Sequence, residues 1–154
     1  MSQIKRNNGN SGEESIDSDK GYPIPQQFIG KVMESGKVYD LKARTNKFAH
    51  DVVNFTSSLP DNYLGKHING QLIRAGTSVA ANYRAAMIAH SKKAFISKLS
   101  IVIEECDESA FWLEFARDEE ISNNDDISGL LQEANELTAI FIASRKTAQN
   151  KGKG

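Results

Sequence analysis

The amino-acid sequence predicts an all-α fold, an antiparallel up-down-up-down four-helix bundle. Residues of apolar character recur at steps of three and four positions through four separate stretches, as on one face of a helix. No stretch of the chain body alternates apolar and polar residues with the period of two that marks a strand. The links between the stretches are only a few residues long, and short links between long amphipathic helices favour antiparallel neighbours.

The first helix is predicted from a heptad-like stripe that ends just before a proline. Its positions are Val38, Leu41, Thr45, Phe48, Val52, Phe55 and Leu59. Pro60 disfavours the helical conformation at the residue before it, so this helix should end near Ser57 or Ser58. Asp61 or Asn62 can then cap the second helix.

Three further stripes follow with the same period. The second consists of Ile68, Leu72, Ala75, Val79, Asn82, Ala86 and Ala89. The third, with Ser91 as its expected cap, consists of Phe95, Leu99, Val102, Cys106, Ser109, Leu113 and Ala116. The fourth follows a loop from Ile121 to Asp126 and consists of Ile127, Leu130, Ala134, Leu137 and Phe141.

The length of 154 residues and the hydrophobic content of 39% suit one domain with a single core. Residues 1–35 are rich in Gly, Ser, Asn and Asp and are predicted to be a disordered polar tail. The bundle is predicted over residues 36–147, and residues 148–154 are expected to form a frayed basic C-terminal tail.

The chain has no feature that would direct it to a membrane or to an oxidising compartment. Its single cysteine, Cys106, falls on an apolar stripe and has no partner for an intrachain disulfide. No apolar run approaches the roughly 18 residues that a membrane span needs, and the N-terminus lacks the apolar middle of a secretory signal. We therefore expect a cytoplasmic protein without a membrane partner.

The net charge of -1 conceals a strong division along the chain. Residues 31–98 contain eleven Lys or Arg and four Asp or Glu, which gives +7. Residues 99–154 contain five Lys or Arg and twelve Asp or Glu, which gives -7. Such polarity steers molecular encounters and suits head-to-tail contact between identical subunits.

Residues of the types found in catalytic and metal centres are present, but their spacing does not match a catalytic or metal-binding motif. His50, His67 and His90 are spread along the chain with no His or Cys at metal-ligand offsets. The acidic run over residues 104–108 lacks the Glu-x-x-His elements of a diiron bundle. A nucleophile elbow and a glycine-rich phosphate loop are also missing from the sequence. We predict no enzymatic activity, no metal and no cofactor, so the protein should act by assembling and binding.

Asn82 is the most informative polar residue because it occupies a stripe position where a hydrophobe would pack more simply. A buried amide without a partner costs about 1–3 kcal/mol. We expect Asn82 to be a polar residue of the core that fixes helix register by bonding to a neighbouring helix, with ligand binding as the alternative.

Four cations are candidate nucleic-acid or anion-binding residues. Arg74 and Arg84 are about 80° apart around one helix, and they can pair with the acidic third helix of another subunit or with nucleic acid. Lys92 and Lys93 stand at the expected start of the third helix, where free N–H groups and two ammonium groups suit an anion. The alternative is that these two lysines are simply solvated.

The third helix also contains the candidate oligomer interface, which consists of Glu104, Glu105, Glu108, Phe111 and Trp112. The aromatic residues here exceed what one stripe can bury, so part of the cluster is expected between chains, with core packing as the alternative. A head-to-tail contact of this acidic helix with the arginines of the next subunit can close into a ring.

The stretch from Gln71 to Leu113 contains a set of ordered features that resembles a known family. These are the Arg74-Ala75 pair, Ser78 four residues before Asn82, Ser91 before Phe95, and the group Glu105, Asp107, Glu108 and Ser109. They resemble the bacterial four-helix bundle family of the protein encoded in intervening sequences of large-subunit ribosomal RNA, to which the accessory protein of diversity-generating retroelements is similar. The resemblance covers roughly residues 38–144.

The chain departs from the family pattern at two places. Many members have Ala-Glu-Gly where this chain has Tyr83, Arg84 and Ala85, and many have Glu where it has Ala94. Any role of those acidic residues is therefore not carried over to this chain.

The resemblance implies a cytoplasmic bundle that assembles as a ring of five, with a poorly defined biochemical function. In the retroelement branch it implies binding of a reverse transcriptase and of nucleic acid. We therefore predict an accessory protein that presents a basic surface to RNA or DNA and to an associated protein such as a reverse transcriptase. The alternative is a purely structural or protein–protein interaction module, in which the two charged parts of the chain neutralise each other.

Overall fold

The computed structural model describes residues 40–122 and 126–150, and these residues form four α-helices and no strand. The helices are α1 (Leu41–Thr56), α2 (Tyr63–Met87), α3 (Lys92–Asp118) and α4 (Asp126–Asn150). The all-α helix bundle predicted from the sequence is thereby confirmed. The predicted tail over residues 1–35, the stripe position Val38 and residues 151–154 lie outside the described residues.

Side-chain caps set the starts of three helices. The Asp40 carboxylate accepts from the Ala43 N–H at 3.0 Å, and the Asn62 side chain accepts from the Gly65 N–H at 2.8 Å. The Ser91 hydroxyl accepts from the Ala94 N–H at 3.1 Å. Each such cap contributes about 1 kcal/mol. Ser91 was the predicted cap of α3, and Asn62 is the one used of the two candidates for α2.

The predicted stripes form one core. Every position of the fourth stripe is buried, and so are all described positions of the first except Leu59, which is half-buried. The largest side chains without exposure above 1% are Phe48, Phe141, Ile68, Leu72, Leu99, Leu113 and Leu137. Removal of this apolar surface from water is the main force that holds the bundle together.

Close packing of α1 on α2 depends on a small residue. A Cβ atom at Gly76 would lie 2.9 Å from Val52 Cγ1, so only glycine fits at this distance. Further along the same pair of helices, the Asn69 side chain donates to the Thr56 carbonyl at 3.2 Å. The other neighbouring pairs, α2 with α3 and α3 with α4, pack over longer lengths.

One end of the bundle contains the end of α2, the start of α3 and the end of α4. The Tyr83 and Phe141 rings are 5.1 Å apart between centroids, and Arg145 Nη1 donates to Ser100 Oγ at 3.2 Å. At the opposite end, the Ser58 and Ser122 hydroxyls are 3.4 Å apart. The two ends therefore contain different parts of the sequence.

The α4 helix extends further than the sequence predicts. It continues to Asn150, past the predicted boundary at residue 147. Ala148 is 1% exposed, so its contact with the other helices extends the ordered helix into the segment that was expected to fray.

Candidate assembly and anion-binding surfaces

Arg74 meets the acidic α3 helix within one chain. Its Nη1 lies 3.1 Å from Glu105 Oε2, and its Nη2 donates to Glu108 Oε1. This hydrogen bond holds the pKa of Glu108 below its usual value. The pairing that the sequence suggested between subunits is therefore satisfied inside the monomer, because Arg74 and Glu105 lie on adjacent helices. Arg74 is 47% exposed, but its charge is largely balanced.

Aromatic side chains form a continuous cluster beside this ion pair. We refer to the group of His67, Phe111, Trp112 and Phe115 as the aromatic surface. Trp112 lies 4.9 Å from Phe111 and 5.3 Å from His67 between ring centroids, and it lies edge-on to both rings. Trp112 and Phe115 are half-buried against the core, whereas Phe111 is 51% exposed.

The acidic residues of the predicted interface differ in their surroundings. Glu104 is exposed, whereas Glu105 and Glu108 are half-buried by their contact with Arg74. Glu108 also accepts from the Trp112 ring N–H at 3.4 Å, so the ion pair and the aromatic surface are joined. These side chains thus form one polar-rimmed aromatic area on α2 and α3.

The other three predicted cations lie at one end of the bundle. Arg84 is exposed near the end of α2, and Lys92 and Lys93 are exposed in the first turn of α3. Within residues 40–122 and 126–150, none of the three forms an ion pair. The structure therefore separates them from Arg74, with which the sequence had grouped them.

Three further cations join this end, and the sequence reasoning did not assign them to a site. Lys98 lies in the second turn of α3, and Arg145 and Lys146 lie near the end of α4. We refer to these six side chains together as the cationic end: Arg84, Lys92, Lys93, Lys98, Arg145 and Lys146. The sequence did contain a signal for this end, because residues 62–103 and 137–150 include no Asp or Glu. Only the fold shows that the start of α3 meets the end of α4.

Asn82 is not a polar residue of the core. It is half-buried, and its side-chain amide donates to the Ser78 carbonyl of its own helix at 2.9 Å. This corrects the expectation that it bonds to a neighbouring helix. The buried polar positions are instead Thr45, Thr56 and Ser109, whose hydroxyls bond to carbonyls one turn earlier. Such bonds satisfy a buried hydroxyl without a partner on another helix.

Among the described residues there is neither a cluster that could hold a metal ion nor a reactive cysteine. No three His, Cys, Asp or Glu side chains in residues 40–122 and 126–150 converge as a metal site. Burial raises the pKa of the Cys106 thiol to about 12, which keeps it in the unreactive protonated form near neutrality. None of the helices described is long and apolar enough to span a bilayer.

The comparison with known proteins agrees with the fold and with the residues that suggested it. The model of the 23S rRNA-intervening sequence protein family matches residues 37–143. The chain belongs to this family. The match includes α1, α2 and α3 and most of α4, and thus both the aromatic surface and most of the cationic end. None of the curated proteins compared with the chain matches it.

A solved structure gives the same assignment for the fold. It is the crystal structure of a protein of unknown function from the S23 ribosomal protein family of Bacteroides thetaiotaomicron. The similarity has a TM-score of 0.62 and 29% sequence identity, and it covers 69% of this chain and 98% of that one. Neither comparison indicates an enzymatic family.

Proposed function

We propose that this member of the intervening-sequence protein family is a non-enzymatic accessory protein that self-associates and binds another macromolecule. The observation that carries the proposal is the aromatic surface. An exposed phenylalanine beside a half-buried tryptophan, with a polar rim, is typical of the centre of a protein interface. We assign a second copy of this chain as the partner that covers the aromatic surface, because the molecule has charged surfaces of both signs.

The proposed assembly is a ring-like homo-oligomer, most simply a pentamer, built from antiparallel up-down-up-down bundles. The order of contacts supports the antiparallel arrangement. Asn69 bonds to Thr56 while Gly76 packs on Val52, so contacts move backwards along α1 as they move forwards along α2. The ring is supported by the family resemblance and by the one-sided position of the aromatic surface on α2 and α3.

The proposed partner is RNA or DNA, together with an associated protein such as a reverse transcriptase, in the cytoplasm. The family resemblance supports the nucleic-acid part, and so do Arg84, Lys92 and Lys93, which form no ion pair with any residue that the structure describes. The reverse transcriptase is supported by the resemblance to the retroelement accessory proteins alone.

A second candidate function is a structural or protein–protein interaction module without nucleic acid. The Arg74 ion pairs favour it, because they show basic and acidic segments of the chain neutralising each other. The two candidates differ in salt dependence. Nucleic-acid retention should weaken steeply as salt rises, owing to counterion release, whereas the module predicts no retention at moderate salt.

Self-association is tested by light scattering on purified protein at micromolar concentration. We expect a mass about fivefold above the 17.0 kDa chain. Phe111→Ser should lower this mass, because it removes the most exposed ring of the aromatic surface. Ile142→Ser is the matched control, since Ile142 is 44% exposed on α4, away from that surface. A monomeric wild-type protein, or equal loss in both variants, would contradict the proposal.

A further inference from the structure

The cationic end is built from two segments that contain no acidic residue. Neither residues 62–103 nor residues 137–150 include an Asp or Glu. The first segment contributes Arg84, Lys92, Lys93 and Lys98, and the second contributes Arg145 and Lys146. The contacts of Tyr83 with Phe141 and of Arg145 with Ser100 bring the two segments together. Six positive charges therefore lie at this end on two segments without a carboxylate, while Asp40, at the start of α1, is near enough to contribute to the raised pKa of Tyr83.

Within the part of the chain that the structure describes, ion pairs do not balance the charges at this end. Elsewhere in the described chain, Arg44 bonds to Glu133 and Glu136, and Arg74 bonds to Glu105 and Glu108. Among residues 40–122 and 126–150, no member of the cationic end has a carboxylate within 4.0 Å. Arg145 donates to the neutral Ser100 hydroxyl, so no carboxylate of the described residues compensates its charge.

We propose that the cationic end binds the phosphate backbone of double-helical nucleic acid without reading its bases. The inference rests on the nucleic-acid half of the proposed function and names its surface and its form of ligand. It also excludes Arg74 from that surface, because Arg74 is already paired. RNA and DNA duplexes present the same phosphodiester chemistry, and both are expected to bind.

The side chains at this end favour phosphate contacts over other ligands. Four of its six cations are lysines, which act as hydrated point charges and not as planar forks for base edges. The aromatic residues there, Tyr83, Phe95 and Phe141, are half-buried or buried, so none is free to stack on unpaired bases. Ile88 and Ile142 are the large apolar side chains exposed there among the described residues, and two such side chains are too few for an extended protein or membrane contact.

The test compares two double variants with the same change in net charge. Lys92→Glu/Lys93→Glu replaces two positive charges of the cationic end by two negative charges. Lys66→Glu/Arg117→Glu changes the opposite end, where these residues pair with Asp61 and Asp118. Acidic residues in the first turn of a helix interact favourably with its dipole, so the Lys92→Glu/Lys93→Glu variant should remain folded. Circular dichroism checks this directly.

The probes are a 20-base-pair RNA duplex, a DNA duplex of the same sequence and a single strand of equal length, each followed by fluorescence anisotropy. The wild-type protein should bind both duplexes and prefer them to the single strand. The change at Lys92 and Lys93 should weaken duplex binding at least tenfold and reduce the salt slope by about 2, since each phosphate contact contributes about one unit. The control pair should change affinity less than threefold.

Several outcomes would overturn the inference. These are no duplex binding at about 0.1 M salt, tighter binding to the single strand, equal losses in the two double variants, or preferential binding to phosphatidylserine vesicles.

Light scattering on the same variants separates this inference from self-association. A monomeric wild-type protein that still binds the duplex through Lys92 and Lys93 would contradict self-association but support duplex binding by the cationic end. A Lys92→Glu/Lys93→Glu variant that loses its oligomeric mass would identify the cationic end as a subunit contact and overturn it.

Discussion

The aromatic surface and the cationic end both involve α2 and α3, but they handle positive charge in opposite ways. At the rim of the aromatic surface, Arg74 is held by two carboxylates of the adjacent helix. At the cationic end, Arg84 and the lysines that begin α3 have no carboxylate to bind within the described chain. Two arginines of one helix, similar in sequence context, therefore have different physical roles.

This difference shows that net charge by segment is a weak guide to a binding surface. The sequence divides into a basic part and an acidic part, which suggests that the whole of α2 is basic. Packing places the acidic residues of α3 against the middle of α2 and leaves its end beside the basic end of α4. The available positive charge is thus located at one end of the bundle and not along one face.

The largest effect is expected from the core beneath the cationic end. Phe141 is fully buried and its ring packs on Tyr83. Phe141→Ala should lower the free energy of unfolding by about 3–5 kcal/mol, because it removes apolar contacts and leaves a cavity. Ile142→Ala, at the neighbouring exposed position, should cost about 1 kcal/mol or less. Urea denaturation measures both, and equal costs would show that Phe141 does not anchor this end.

Alkaline pH should lower the free energy of unfolding, because two buried groups, Tyr83 and Cys106, are then driven to lose their protons. Burial raises the pKa of Tyr83 to about 12, with a contribution from Asp40, and burial raises the pKa of Cys106 to about 12. Both groups bind protons more tightly in the folded protein, so their contribution is fully present below the unfolded pKa values, about 8.5 for Cys and about 10 for Tyr. It is lost as the pH rises towards 12.

The pH effect is measured by urea denaturation at a series of pH values from 7 to about 11. Tyr83→Phe should make the fall above pH 10 shallower, because it removes one of the two titrating groups. A free energy of unfolding that stays constant or rises over this range would contradict the assignment of buried, neutral Tyr83 and Cys106.

The smallest effect is expected when the two carboxylate partners of Arg74 are removed. Glu105→Gln/Glu108→Gln removes both of its partners and should cost about 1 kcal/mol or less, because Arg74 is 47% exposed and water screens its ion pairs. The freed arginine should tighten duplex binding by a factor of a few. Glu104→Gln/Glu114→Gln changes the net charge equally at exposed residues without an ion pair in the described chain. Equal gains in the two variants would show that pairing does not decide whether Arg74 is available.

The fold was largely predictable because it depends on periodic burial. The positions of the fourth stripe all become buried, and the Leu59-Pro60 step ends α1 at Thr56 as expected. The predicted C-terminal boundary was too early because TAQN, residues 147–150, shows little apolar periodicity. A single small side chain, Ala148, is enough to keep that turn packed.

The candidate sites were less predictable because they depend on contacts between helices. The sequence indicated that the third helix has more aromatic residues than one stripe can bury, and Phe111 is exposed in the structure. The sequence could not show that Arg74 and Glu105 lie on adjacent helices of one chain. Asn82 was assigned to the core from its stripe position, yet the stripe drifts along a long helix and its amide bonds to Ser78 instead. Arg145 and Lys146 were not assigned to a site from the sequence, because their proximity to α3 is visible only in the tertiary structure.

The central claim is that one surface joins copies of the chain while another binds nucleic acid. The most direct measurement is light scattering of Phe111→Ser and Lys92→Glu/Lys93→Glu, each with and without the RNA duplex. We predict that Phe111→Ser loses oligomeric mass but still binds the duplex, though more weakly because fewer cationic ends act together. The Lys92→Glu/Lys93→Glu variant should keep the wild-type mass and fail to bind. Loss of both properties in either variant would contradict the separation of the two surfaces.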